Sequence, residues 1–274
     1  MFEYLMPLLV MPTFDNTLGA LENSGLTLER VALTFSAVAG ANTNDTLDAV
    51  DTKTAPLLAQ HRDYLFLNKK LFARVKSLHD RQASLRLNPE QARLLEVYYQ
   101  QFVHAGAELA PAKQVELKAY NKRLSSLESS FGQKLTAATK DGALRVTDKA
   151  ALAGLSDAQI ADAATAAKSR KVDGYVLPMQ NTTQQPTMGS LTNRATREAL
   201  FNASWTRSEK GDANDTRPVV AEIASLRAKK AALMGYDNWA SYALYDQMAK
   251  NADTAKGFLA RLAPAVAAKE KAEA

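Results

Sequence analysis

The side chains in this sequence best suited to metal binding or proton transfer are three histidines, His61, His79 and His104. A helical zinc site of the H-E-x-x-H type needs two imidazoles one turn apart, so that both reach one metal, with the intervening glutamate as base. The nearest two histidines here, 61 and 79, are 18 residues apart, and none is followed by Glu: the contexts are HRDY, LHDR and VHAG. No Ser lies in a G-x-S-x-G elbow; Gly189-Ser190-Leu191 is only a partial likeness without a strand before it. Gly40, Gly106, Gly132 and Gly142 are isolated, so no phosphate-cradling loop is present. The absence of cysteine removes thiolate ligands, thiol nucleophiles and disulfides together. Glu22, Asp45, Asp48 and Asp51 read as helix caps and exposed faces, and Tyr98-Tyr99 as core plus rim. Spacing alone therefore assigns no catalytic residue and no metal ligand.

Composition bounds the remaining classes. With 274 residues and 46% apolar content, the chain can bury a substantial core, which excludes wholesale disorder. The formal charge of +5 is small for this length, and its basic clusters are interleaved with acids: Lys69, Lys70, Arg74 and Lys76 are followed by Asp80. A nucleic-acid binder concentrates its charge on one face, so nucleic acid is not an expected partner. The opening MFEYLMPLLVM contains Pro7 and has no basic residue before its apolar run. That run falls well short of the ~20 residues that span a bilayer, and it makes a poor signal peptide. No membrane partner is expected. The expected compartment is the cytoplasm, with the periplasm left open, because a chain without cysteine suits either.

The elements that would position any site are mostly helical. Asn88-Pro89-Glu90-Gln91 reads as a helix start, with Asn88 accepting backbone N–H bonds and Pro89 at the first helical position. Leu94, Leu95, Tyr98, Phe102 and Ala105 then share one face, and Gly106 should end the helix. A second long helix is expected from about Pro111 to Ala138, antiparallel to the first. Upstream helices are expected at about Thr13–Asn23, Leu26–Gly40, Asn44–Leu67 and Asn68–Gln82. Asp45 or Thr43 is the expected cap of the third, and Pro56 should kink or divide it. Ser156-Asp157-Ala158-Gln159 matches a capping box. Residues 143–148 and 174–180 have β-like composition and should form a small β element. Asn181 to Pro186 reads as polar and irregular, and Ser208 to Asp215 as an exposed loop. Helices resume at about Asn193–Trp205, Thr216–Met234, Asn238–Ala249 and Thr254–Ala274, the last without a terminator. The expected organisation is an atypical segment at 1–11, a helical hairpin region at 12–140, a small β/helix insert at 141–190 and a helical region at 191–274.

Several stretches resemble the zinc metallopeptidase family of thimet oligopeptidase, oligopeptidase A and the bacterial dipeptidyl carboxypeptidases, the last branch above all. They include Pro12-Thr13-Phe14-Asp15-Asn16-Thr17, HRDYLFLNKKLFARVK (61–76), RLLEVYYQQFVHAGAEL (93–109) and LAGLSDAQIADAA (152–164). The most specific are YVLPMQNTTQQP (175–186), LTNRATREALFNAS (191–204) and the block from Ile223 to Ala255. The resemblance implies a mainly α fold: the multi-helix N-terminal half of a two-lobed channel peptidase. It implies a zinc ion held by H-E-x-x-H and a downstream Glu, and release of dipeptides from the free C-terminus of short peptides. This sequence has no H-E-x-x-H, so no catalytic or metal residue carries over.

The expectation is thus the N-terminal portion of a peptidyl-dipeptidase, truncated and inactive alone. No zinc is expected on this chain, and its expected partners are the missing catalytic half and, through the complete enzyme, short peptides. Asn181, Thr182, Gln184 and Gln185 are the candidate channel-facing residues. A non-catalytic helical peptide-binding module is the alternative. Exposed apolar surface on one side favours the portion, and an all-polar surface favours the module.

Overall fold

The computed structural model describes residues 10–273. The segment expected at 1–11 lies outside them except for Val10 and Met11. The helices are α1 (Leu26–Ala41), α2 (Asp45–Phe66), α3 (Lys69–Asp80), α4 (Pro89–Ala105), α5 (Pro111–Asp141), α6 (Asp157–Ser169), α7 (Asn181–Ser190), α8 (Arg194–Trp205), α9 (Arg217–Leu233), α10 (Trp239–Ala243) and α11 (Ala252–Glu273). Strands β1 (Leu144–Val146) and β2 (Tyr175–Leu177) pair antiparallel, with Leu144 opposite Leu177. The fold is mainly α with one small two-stranded sheet, as the sequence implies. The chain forms two compact units. One runs to Ser126 and resumes at Ala224; the other is Leu127–Ile223.

Most helix starts are set by short polar side chains. Asn44, Asn68, Asn193 and Asn238 each accept from backbone N–H groups two or three residues on. Asn88 with Gln91 and Ser156 with Gln159 form reciprocal capping boxes. Each such cap satisfies donors that have no partner inside the helix and contributes about 1 kcal/mol. Asn44 is the cap of α2 in place of the expected Asp45 or Thr43; the Thr43 hydroxyl instead donates to Asp48.

Four expectations are corrected. Pro56 lies inside α2 and does not divide it: the element runs on as one 22-residue helix, because a single missing N–H leaves the bonds on either side intact. Residues 181–190 are helical, not irregular, with Pro186 inside the helix. There Thr183 and Thr187 turn their hydroxyls back onto the carbonyls of Gln180 and Thr183, so these side chains are satisfied locally while the backbone stays helical. The helix expected over Asn238–Ala249 stops at Ala243, and turns follow, with Lys250 at φ 60°. In the loop before α9, Ser208 and Asp215 are buried instead of exposed. Asp215 accepts from the backbone of Gly211 and Arg217 and from the Arg217 side chain, drawing the loop inward.

In the first unit, Leu71, Val75, Leu78, Leu95 and Phe102 form the core with Leu18. α4 packs chiefly on α3. The Phe102 ring lies 5.0 Å from Phe66 and 5.9 Å from Phe72. Buried Arg74 donates to the Val10 carbonyl and the Asn16 side chain, tying residues 10–17 to α3. Helices α1 and α11 behave differently: neither has a buried residue. α1 exposes Leu28, Val31 and Val38; α11 exposes Phe258, Leu262 and Val266. Among the described residues, no helix is long and apolar enough to cross a membrane.

The second unit centres on Leu152, Leu177, Leu191 and Leu200, with α6 packed against β2. Gly154 closes it. The Thr192 N–H donates to the Ala153 carbonyl at 2.9 Å. A Cβ on Gly154 would meet the Ser190 carbonyl oxygen at 2.2 Å and the Thr192 nitrogen at 2.6 Å, with φ at +95°. Both contacts are backbone, so neither can swing away. Gly154→Ala should therefore cost about 3 kcal/mol or more in urea unfolding. A loss below about 1 kcal/mol would contradict this close approach.

Candidate functional site

A polar cluster lies within the first unit, where helical periodicity would place only apolar side chains. Asp63 falls on the inner face of α2 and is 8% exposed. Its Oδ1 accepts from Asn121 of α5 at 2.7 Å, and the Asn121 Oδ1 accepts from Lys230 of α9 at 2.7 Å. Oδ2 of Asp63 is buried with no hydrogen bond. Burial pushes this carboxyl above the ordinary aspartate range; the Asn121 bond and the charges of Lys230, Lys118 and Arg62 pull the other way.

His104, on α4, sits beside this cluster in a tyrosine clamp. Its ring stacks on Tyr245 at 3.6 Å and on Tyr242 at 4.0 Å, with Tyr236 edge-on at 6.0 Å. Its Nδ1 is buried without a partner, and the Tyr242 hydroxyl donates to its backbone carbonyl at 3.4 Å. Burial, reinforced by Lys230, lowers the imidazole to about 4 against the opposing charge of Asp246. The ring is neutral at physiological pH and serves as an aromatic packing surface. Burial likewise raises Tyr242 to about 12.

The other histidines lie elsewhere. His61 is exposed. His79 stacks on Tyr99 at 3.8 Å and meets Glu96 Oε2 at 3.1 Å. Among the described residues, no three His, Asp or Glu side chains come together in an arrangement that could hold a metal ion.

The channel candidates share α7. Asn181, Thr182 and Gln185 are exposed, whereas Gln184 is buried. Gln184 Oε1 accepts from the Ser204 hydroxyl at 2.9 Å, joining α7 to α8. Sequence reasoning missed the Asp63–Asn121–Lys230 chain and the tyrosine clamp. One signal was present: Asp63 interrupts the apolar stripe of Ala59, Phe66 and Leu67. The partners come from segments far away in sequence and gave no local sign.

What these elements define is a helical framework with buried polar joints. Comparison with known proteins gives it a family. Residues 187–274 match the family model described as peptidase family M3. The chain is 45% identical over 256 residues to the dipeptidyl carboxypeptidase of Escherichia coli, covering 93% of this chain and 38% of that protein. It is 44% identical over 254 residues to the Salmonella typhimurium dipeptidyl carboxypeptidase, covering 92% and 37%. Oligopeptidase A of Salmonella typhimurium is 29% identical over 215 residues, covering 77% and 32%. The chain belongs to peptidase family M3, whose members are zinc-dependent in general. It spans under two fifths of the length of these relatives.

The depressed His104 fixes a pH response. A base held below its unfolded value of about 6.5 takes up its proton more readily when unfolded, so stability falls with pH from about 6.5 towards 4. His104→Phe keeps the ring stack and removes the titration. Its acid unfolding curve should therefore be flatter across that window than that of the parent, read by circular dichroism. Parallel curves would show that His104 does not set the response.

Proposed function

We propose that this chain is the N-terminal, non-catalytic portion of a zinc-dependent peptidyl-dipeptidase that releases dipeptides from the C-terminus of short peptides. The observation that carries the reading is the 45% identity across 93% of the chain to a dipeptidyl carboxypeptidase, in a sequence with no H-E-x-x-H. The donor chemistry agrees. His104 is enclosed by tyrosines and His79 is engaged by Tyr99 and Glu96, so neither is poised as a ligand. In this reading the zinc, which polarises the scissile carbonyl and lowers the pKa of a bound water, is held by ligands outside these 274 residues.

The exposed apolar faces of α1 and α11 support a portion over a self-sufficient module. A soluble chain gains by covering such stripes, at about 25 cal/mol per Å². The occupant in this reading is the remaining length of the peptidase. Asn181, Thr182 and Gln185 are then the α7 residues that face substrate, and Gln184 supports them through Ser204. The compartment that goes with the reading is the cytoplasm.

Zinc content and release of C-terminal dipeptides should be measured on this chain and on a chain extended to the relatives' full length. The expected result is activity and one zinc per chain in the extended form only. Stoichiometric zinc with dipeptide release from the 274-residue chain would overturn the reading. In the active extended form, Asn181→Ala and Gln185→Ala should raise KM about two- to tenfold with little change in kcat, as expected for lost ground-state binding. Gln184→Ala should instead lower the unfolding temperature. Unchanged KM in both exposed variants would remove α7 from the substrate path.

A further inference from the structure

The second unit contains a groove of about 640 Å³ between the end of α8, the loop that follows it and the start of α9. That volume is within the usual range for sites that take small ligands. Leu135, Val220 and Ala221 give it an apolar wall. Trp205 stands at its edge with 74% of its surface exposed. Phe201 stacks behind the indole at 5.5 Å, with ring planes 14° apart. The indole is thus held in place on one side, while most of its surface is open to solvent.

The polar side of the groove is not electrically balanced in one respect. Arg217 is neutralised by Asp215, which it grips through Nε and Nη2. Among the described residues Arg207 has no such partner. Its Nη1 donates to the Met179 carbonyl at a long 3.5 Å, although the residue is half-buried. Glu209 also lines the groove, but it is exposed and its charge acts on Arg217. A partly desolvated cation gains more from a counter-charge than a solvated anion does. The vacancy in charge is therefore anionic.

We propose that this groove binds a small aromatic carboxylate, its ring against Trp205 and the apolar wall and its carboxylate on the Arg207 guanidinium. Stacking on an indole and a charge-assisted pair are separate contributions, so ring and charge can be tested one at a time. All the residues involved lie within Leu127–Ile223. Its test is read by ligand binding, separately from the zinc and dipeptide-release assays.

The 274-residue chain has two tryptophans, so Trp239→Phe leaves Trp205 as the only indole reporter. In that background, 3-phenylpropanoate should change Trp205 emission saturably with Kd in the millimolar range, about what few polar contacts give a small ligand. Ligand-observed NMR on the parent chain should show the same binding. The uncharged 3-phenylpropanamide, and 3-phenylpropanoate on Arg207→Gln, should each bind roughly tenfold more weakly, the loss of one charge-assisted pair. Acetate, which lacks the ring, should not compete. Circular dichroism confirms that each variant is folded; if Arg207→Gln is not, Arg207→Lys, which keeps the charge, should retain binding. Absence of saturable binding in both measurements, equal affinity for acid and amide, or undiminished affinity in folded Arg207→Gln would each overturn the proposal.

Discussion

The Phe102 ring is the contact on which the arrangement of residues 45–105 depends. It is fully buried and meets Phe66 and Phe72, so one side chain of α4 fixes the end of α2 and the first turn of α3 together. Tilted and offset ring pairs of this kind contribute about 0.5–1.5 kcal/mol each beyond their burial. Removing such a ring from a packed core typically costs 3–5 kcal/mol. The asparagine caps set where each helix begins, but they act within their own helices. The aromatic contact brings three helices to one point.

Around that apolar centre the first unit places its polar groups with care. Asp63, Asn121 and Lys230 form a chain of two short hydrogen bonds across three helices. Buried charge is tolerated when it is hydrogen-bonded, and it ties helices together in one register that apolar contacts alone would leave free to slide. The same neighbourhood silences His104. Two stacked tyrosines and a nearby ammonium keep it neutral, so a residue type often used for proton transfer here packs like a phenylalanine. Placement, not residue type, decides what an imidazole does.

The second unit is organised by backbone approaches. The two-stranded ladder, the close passage at Gly154 and the inward carboxylate of Asp215 join segments through main-chain atoms. The membership in peptidase family M3 rests on sequence. The apolar stripes of α1 and α11 are among the parts of the helical framework left exposed.

Sequence by itself determined most of the helices, the Asn88 cap, the Ser156–Gln159 capping box, the β pair and the family. Each is a local property: a cap lies two or three residues from the N–H groups it serves, and a helical stripe repeats every three or four. The sequence also determined that no zinc motif is present, since that is a matter of spacing along one helix. Tertiary structure decided what local rules cannot see. The 22-residue helix through Pro56 and the helix over 181–190 persist although each contains a proline. The Asp63–Asn121–Lys230 chain and the clamp on His104 join segments more than 50 positions apart, and the groove beside Trp205 brings Leu135 to residues 204–221. Beyond the break that Asp63 makes in its apolar stripe, sequence pattern does not show such pairings, because burial and charge balance are properties of the assembled neighbourhood.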